Sequence, residues 1–476
     1  MIRISSLYLF WEERILVGFG ETIRFSPIRC DAMDAKKLRI LFTGGEFRSV
    51  IARSWSVSWP ITVIMFFEFL IGLTDVYIAG RVSKEVQATY GFVIQLYFIF
   101  IVIANALTVG TVSVVSRLFT SDKKEELTEV VFSSIVTSAV AGMILAMAGI
   151  LFTRELIHFL NIPETLKELS IPFINTYAIG LLFHYVLINS NGILRSCDRV
   201  KKSLKTMALV CMMNILFNFF LVFHTPLGFR GIALATASSV FIGSWVNIFY
   251  VKKLVGPGKR FSLKTVKKMA GVGWPIGLLQ VLWQCASIVL FLILSTLPEQ
   301  KVEILAALTT GLRIESAIYL PAFAFNLANA VIVGNLLGEK KEEEALRSGV
   351  VTAVIGVAIV TIMAIVVVVN ARWIASLLSP NETVIRESTK YLYISMLSEP
   401  FMAWGIILGG GLNGAGDTRS VLIRVALSVW VVRIPLSYVF VTFFGLGAAS
   451  VWWSMNLSQV IQAFLISKRY FSKRWL

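Results

Sequence analysis

Charged side chains are scarce in this chain of 476 residues: 15% are charged, against 57% hydrophobic. A soluble globular domain carries about 25% charged residues, so that class is excluded. Histidine is rarer still, with only His158, His184 and His224. The four cysteines (Cys30, Cys197, Cys211 and Cys285) form no CxxC pair. Neither a zinc site nor a disulfide framework is indicated, and no metal or other cofactor is expected. HExxH and GxSxG are absent, which argues against an enzyme acting within the membrane. The apolar runs do not alternate at period two, as the strands of a membrane barrel would. Residues 1–32 lack the clean apolar core and small-residue cleavage site of a signal peptide. Either translation begins at Met33 or this stretch forms an amphipathic helix on the membrane surface.

What the chain does contain is long apolar runs, and its mean hydropathy is +0.78. A hydrocarbon core about 30 Å thick takes about 20 apolar residues per helical span, and about twelve such spans fit along the sequence. They fall near 54–80, 90–116, 127–152, 170–194, 205–225, 231–253, 273–297, 305–335, 347–370, 390–412, 421–442 and 446–467, the fifth and sixth nearly merging at HTPLGFRG. The fold class expected is an all-α integral membrane protein. The net charge of +16 is unevenly placed. When connections are assigned alternately to the two sides, Lys and Arg on one side outnumber those on the other by roughly three to one, the bias of cytoplasmic loops. Both termini are therefore expected in the cytoplasm and the chain in the inner (plasma) membrane. The basic clusters CDRVKKSLK and VKKLVGPGKRFSLKTVKK lie between spans and lack the interleaved aromatics of a nucleic-acid surface, so no nucleic-acid partner is expected.

The chain also repeats itself. SVSWPI at 56–61 returns as GVGWPI at 271–276, SDKKEEL at 121–127 as GEKKEEE at 338–344, and NIPET at 161–165 as SPNET at 379–383. RSCDRVKKS at 195–203 is echoed by GAGDTRSVL at 414–422, and TPLGFRGIA at 225–233 by TFFGLGAAS at 442–450. A spacing that stays near 217 residues over all five pairs marks a duplication. Because the offset spans six helices, the halves are parallel repeats related by a pseudo-two-fold axis along the membrane normal. The expected organisation is an N-terminal cytoplasmic extension over 1–50, a first lobe of six helices over 51–255, a linker over 256–270 and a second lobe over 271–476. Two such bundles enclose a central cleft whose opening can alternate.

On LTDVYIAGRVS, GTVSVVSRLFTSDKKEE, NSNGILRSCDRVKKS, NILFNFFLVF, RIESAIYLPAFAFNLANAVIVGNLLGEKKEEEA and GGGLNGAGDTRS, the sequence resembles the multidrug and toxic compound extrusion family of the wider flippase superfamily, from about residue 50 to 470. The resemblance implies twelve helices around a V-shaped cleft. It also implies export of bulky, usually cationic organic compounds in exchange for protons or sodium ions, by a monomer. A lipid-linked precursor flippase of the same superfamily is the alternative, and a passive channel is a third reading.

Within the spans, FEFLIGLTDVYIAGR places Glu68 and Asp75 in an otherwise apolar helix. An ionised carboxylate at the bilayer centre costs about 2.5–3.5 kcal/mol even on the lenient insertion scale, so both are expected to face the bundle interior. Seven residues apart, they share a face and lie about 10.5 Å apart along the axis, too far for a dyad that shares one proton at about 3 Å. A carboxylate that alternates between burial and a nearby cation can release a proton when another ion binds, which is the chemistry of an antiporter. Asn214 and Asn218, four apart on one face of the fifth span, offer amide oxygens to a hard cation or a protonated carboxyl.

In the family pattern the first-half ion site combines the acid at Asp75 with Asn214, Thr236 and the polar position of Asn191. A second acid is expected where this chain has Asn218, and Gln often stands where this chain has Glu68. The expectation is that the second charge has crossed the cavity to Glu68. Candidates for the substrate cleft are Gln280, Gln284, Trp283, Glu315, Glu399 and Asn189, with Tyr97, Phe183, Tyr185 and Trp404 as aromatic walls for an organic cation. Arg313 with Glu315 reads equally as an anchor near the interface. Pro60 either bends the first span during the cycle or sits harmlessly near a helix start.

Overall fold

The computed structural model describes residues 45–121, 123–159, 164–256, 260–298 and 300–476, and among them no strand occurs. The expected extension over 1–50 therefore lies almost wholly outside the described residues. Arg48–Leu476 form one compact unit, separate from Met1–Phe47. The first half of the sequence forms α1 (Gly45–Val82), α2 (Lys84–Phe119), α3 (Lys124–Phe159), α4 (Glu164–Ser196), α5 (Val200–Phe223) and α6 (Arg230–Lys252). The second half forms α7 (Leu263–Ser295), α8 (Lys301–Gly338), α9 (Glu342–Val369), the short α10 (Ala371–Leu378), α11 (Glu382–Ser395) and α12 (Glu399–Gly414). It continues with α13 (Thr418–Ala426), a π-helical segment (Leu427–Arg433), α14 (Ile434–Thr442) and α15 (Ala448–Phe471).

Ten helical stretches are long and apolar enough to cross a membrane, and α11 with α12, bent by 56°, make an eleventh. The bend has a local cause. Pro400 has no backbone N–H and stands in the first turn of α12, so the helix cannot run through from α11. Asn456 of α15 bridges the break, its Nδ2 donating to the Ile394 carbonyl at 2.6 Å and its Oδ1 accepting from Ser398 Oγ at 2.7 Å. The span expected at 446–467 is α15, whose Ser454, Asn456, Ser458, Gln459 and Gln462 are all buried against the protein rather than lipid. Helix α7 starts at Leu263, capped by Ser262, within the stretch expected as the linker between the halves. The fifth and sixth spans, expected at 205–225 and 231–253, are separate helices with a turn between Phe223 and Arg230.

Small residues bring the two halves together on the side that carries the basic connections. A Cβ added to Gly110 of α2 would collide with the Met269 carbonyl of α7, and one on Gly273 of α7 with the Ala106 carbonyl of α2. Such backbone approach is what glycine permits in membrane helices, where association depends on close packing. In the same way Gly410 and Gly414 of α12, spaced as GxxxG, lie on the Asn326 and Ala330 carbonyls of α8. The GGGLNG stretch is thus a packing surface.

Polar contacts lock this side in a reciprocal way. Arg117, near the end of α2, donates to the Ala415 carbonyl at the end of α12, where the helix dipole favours a cation. Asn335, near the corresponding point of the repeat in α8, makes the return contact. Oriented by its neighbours, the Asn335 amide donates to the Ser116 carbonyl at 2.9 Å and to the Ser196 carbonyl, at the end of α4, at 3.1 Å. Thr120 Oγ1 adds a bond to the Asn335 carbonyl at 2.7 Å. Each half thus caps a helix end of the other.

Gly110→Val should force α2 and α7 apart. Cys197, fully buried in the cluster that includes Met269, is then expected to react with maleimide at least tenfold faster than in the unsubstituted protein, with Cys30, Cys211 and Cys285 replaced in both backgrounds. Equal labelling rates would contradict this role for the crossing.

Candidate functional site

Asp75 is 2% exposed, and four helices enclose it. Asn218 Nδ2 donates to Asp75 Oδ1 at 2.7 Å and Asn214 Nδ2 to the same oxygen at 3.4 Å, both from α5. Thr236 Oγ1 of α6 donates to Oδ2 at 3.0 Å, and Tyr177 of α4 donates its hydroxyl to Oδ2 at 3.4 Å. The cage is also bonded within itself, Asn214 Nδ2 to Thr236 Oγ1 at 3.1 Å and Asn218 Nδ2 to Asn214 Oδ1 at 3.2 Å. The i,i+4 spacing on α5 is what aims both amides at one carboxylate. All four partners are neutral, and among the described residues no cation pairs with Asp75. One acceptor, Asn218 Oδ1, is buried without a partner.

Three of the expected partners, Asn214, Asn218 and Thr236, are therefore gathered around Asp75, and two candidates are not. Asn191 belongs to a neighbouring network, accepting from Ser203 Oγ at 2.7 Å and from Asn247 Nδ2 at 2.8 Å. Glu68 lies on the same face of α1 but is exposed, and its leading charge partner is Arg195 at the end of α4. The two acids of α1 accordingly occupy different surroundings. Tyr177 was not foreseen. It belongs to an aromatic run in which its ring lies 5.2 Å from that of Tyr97, whose hydroxyl bonds His184 Nδ1 at 2.8 Å.

A second buried cluster lies in the other half. Glu315 of α8 is fully buried and accepts from Tyr391 at 2.7 Å and from Tyr319 at 3.1 Å. Glu399, in the first turn of α12, is equally buried, and neither carboxylate oxygen has a hydrogen-bond partner. Arg433, at the end of the π-helical segment, supplies the facing charge. It donates Nε to Ser458 Oγ at 2.8 Å and covers the Trp283 ring at 5.0 Å, while its Nη2 has no partner.

This corrects the expectation that Glu315 and Glu399 line an open cleft, and it separates Glu315 from Arg313, two residues back on the exposed face of α8. Of the remaining cleft candidates, Gln284 is exposed and Trp283 and Gln280 are half-buried. Asn189 is buried with neither amide atom bonded. Tyr185 is packed, its hydroxyl donating to the Phe100 carbonyl at 2.5 Å. Pro60 stands well inside α1, which excludes the helix-start reading.

Comparison with known proteins places this geometry. The family model described as MatE matches residues 60–220 and 275–439. The uncharacterized transporter YisQ of Bacillus subtilis is 22% identical over 438 residues, which cover 89% of this chain and 94% of that protein. The probable multidrug resistance protein NorM of Thermotoga maritima is 21% identical over 422 residues, 86% and 89% of the two chains. Among solved structures, one described as an outward-facing multidrug resistance MATE family transporter of the MOP superfamily superposes with a TM-score of 0.83 at 20% identity, covering 89% of this chain and 97% of that one. A MOP superfamily transporter from Pyrococcus furiosus, described as having a binding pocket of reverse polarity, gives 0.82 with the same identity and coverage.

The cage makes a graded prediction. Asn218→Ala removes the shortest donor to a buried charge and is expected to lower unfolding stability in detergent by about 1–3 kcal/mol. Tyr177→Phe, which removes a bond of 3.4 Å, is expected to cost about 0.6 kcal/mol. Denaturant titrations that rank the two in the opposite order would contradict the assignment.

Proposed function

The chain belongs to the MatE family, and on that premise we propose that it is a multidrug efflux transporter, exchanging protons or sodium ions for bulky organic, often cationic compounds. The observation that carries this reading is the Asp75 cage, a buried carboxylate held by four neutral donors. A buried charge without an opposite one is costly, and a proton or a hard cation relieves it. The orphan Asn218 Oδ1 is the acceptor that either would use, from a protonated carboxyl or as a cation ligand. Loss of the ion restores the charge and its cost, so the site has two states of different energy that an opposing substrate can select. A gradient of about 100 mV supplies about 2.3 kcal/mol per charge, enough to bias the cycle when ion and substrate exclude one another. Pro60, interrupting the hydrogen-bond ladder of α1 one helix face from Asp75, is the place for that helix to bend between the two states.

A second reading places coupling at Glu399, whose two unbonded oxygens also lack full compensation. Efflux of a fluorescent organic cation from everted vesicles separates the two. With a proton or a sodium gradient imposed, Asp75→Asn is expected to abolish gradient-driven efflux at equal expression, while Glu399→Gln leaves a measurable fraction. The reverse pattern would move coupling to the second half. Efflux unaltered in both would leave no role for either acid, and gradient-independent flux in the unsubstituted protein would indicate a channel.

A further inference from the structure

The inward face of α1 is buried on either side of Glu68 and open at it. With about 100° of turn per residue, Ile61, Ile64, Asp75 and Ala79 lie within roughly 40° of Glu68 around the helix, and none of the four is more than 2% exposed. Trp59, Phe66, Leu73 and Tyr77 lie roughly 140–180° away and are exposed, forming the outward face. Glu68 is exposed on the inward face, so the space it meets is inside the bundle and is not lipid.

The packing on either side identifies that space. Ile61 belongs to a large cluster built mainly from second-half residues, whereas Ile64 packs with Leu187, Met207, Val210 and Val240 of the first half. Both halves therefore grip α1 one to two turns before Glu68, and two turns after it the first half closes again around Asp75. Between these levels a Cβ added to Gly72, one turn past Glu68, would meet nothing within 4 Å. Glu68 stands where the halves part, at the closed end of the space between them.

No resident group bonds its carboxylate. Among the described residues no hydrogen bond or ion pair within 4 Å reaches it, and its leading charge partner, Arg195 of α4, acts from farther away. Arg195 is itself 8% exposed, with Nε buried and unpartnered. A carboxylate near the middle of the membrane-crossing stretch Arg48–Val82 is costly and calls for a mobile cation. A hard inorganic ion needs several oxygen ligands, of the kind that gather at Asp75 and not at Glu68. The neighbouring Ile64, Met65 and Ile71 offer apolar wall instead. An organic cation, with its charge set in an apolar frame, needs one counter-charge and such walls.

We propose that Glu68 receives the positive charge of the exported compound, leaving Asp75, about 10.5 Å along the same helix, to the coupling ion. This departs from the expectation of a second coupling charge at Glu68, and it rests on the reading of the chain as an exporter of organic cations. Equilibrium binding of tetraphenylphosphonium and of the uncharged triphenylphosphine oxide to the purified full chain, at varied pH and sodium concentration, tests it. Glu68→Gln should weaken tetraphenylphosphonium binding about tenfold, the scale of one close charge pair, and triphenylphosphine oxide binding by less than about twofold, while the ion dependence persists. Glu68→Asp, which keeps the charge, should recover most of the loss. Equal weakening of both compounds, or of neither, overturns the proposal, as does an ion dependence lost in Glu68→Gln, which would return Glu68 to coupling. Failure of the unsubstituted protein to bind tetraphenylphosphonium would overturn the proposal together with the reading of organic-cation export.

Discussion

A buried negative charge with no positive neighbour is the constraint around which the first half of this protein is organised. Three helices contribute to holding Asp75, and each does so through neutral donors: amides from α5, hydroxyls from α4 and α6. Had a lysine or arginine stood there, the charge would be satisfied permanently and the site would have one state. Neutral donors stabilise the ion without cancelling it, which leaves room for a mobile cation or proton. The second half meets a similar difficulty differently. There two acids, Glu315 and Glu399, share one resident cation, Arg433, and tyrosines shield one of them. That cluster has a resident positive charge in its surroundings and Asp75 has none, and this difference is the reason for placing coupling at Asp75.

The polar centres sit in a framework joined by backbone proximity. Gly110 with Met269, Gly273 with Ala106, and Gly410 and Gly414 with the α8 carbonyls bring helices closer than side chains would allow. Arg117 and Asn335, near the ends of α2 and α8, then each reach across to a helix end of the opposite half. In hydrocarbon there is little hydrophobic drive between helices, so contacts of this kind carry the association. They are individually weak and confined to one side of the bundle.

Much of this was legible in the residues, and the remainder fails for identifiable reasons. Spans are readable because hydrocarbon selects a length and a composition; α15 was laid as an apolar run like the others, although its buried serines and amides lower its apolar character. The core of the cage followed from the spacing of Asn214 and Asn218 and from the family pattern. Tyr177 did not, because a tyrosine in an apolar helix carries no sign of which way its hydroxyl points. Asn191 was misassigned to the cage for the same reason: a polar residue near a site in sequence turns to a different neighbour when helix azimuth is fixed by packing. Glu315, Glu399 and Arg433 lie on three separate helices, and no local periodicity connects them. The Glu399-Pro400 pair marks a helix start, but Asn456, which bridges the break, stands on α15, far off in sequence.

The central claim is that the coupling ion and the exported compound compete through Asp75. The most direct measurement is the affinity of purified protein for a fluorescent organic cation as pH and sodium concentration are varied, in the unsubstituted chain and in Asp75→Asn. The account predicts an affinity that changes with at least one of the two ions in the former and is flat in the latter. An ion dependence that survives in Asp75→Asn would contradict it.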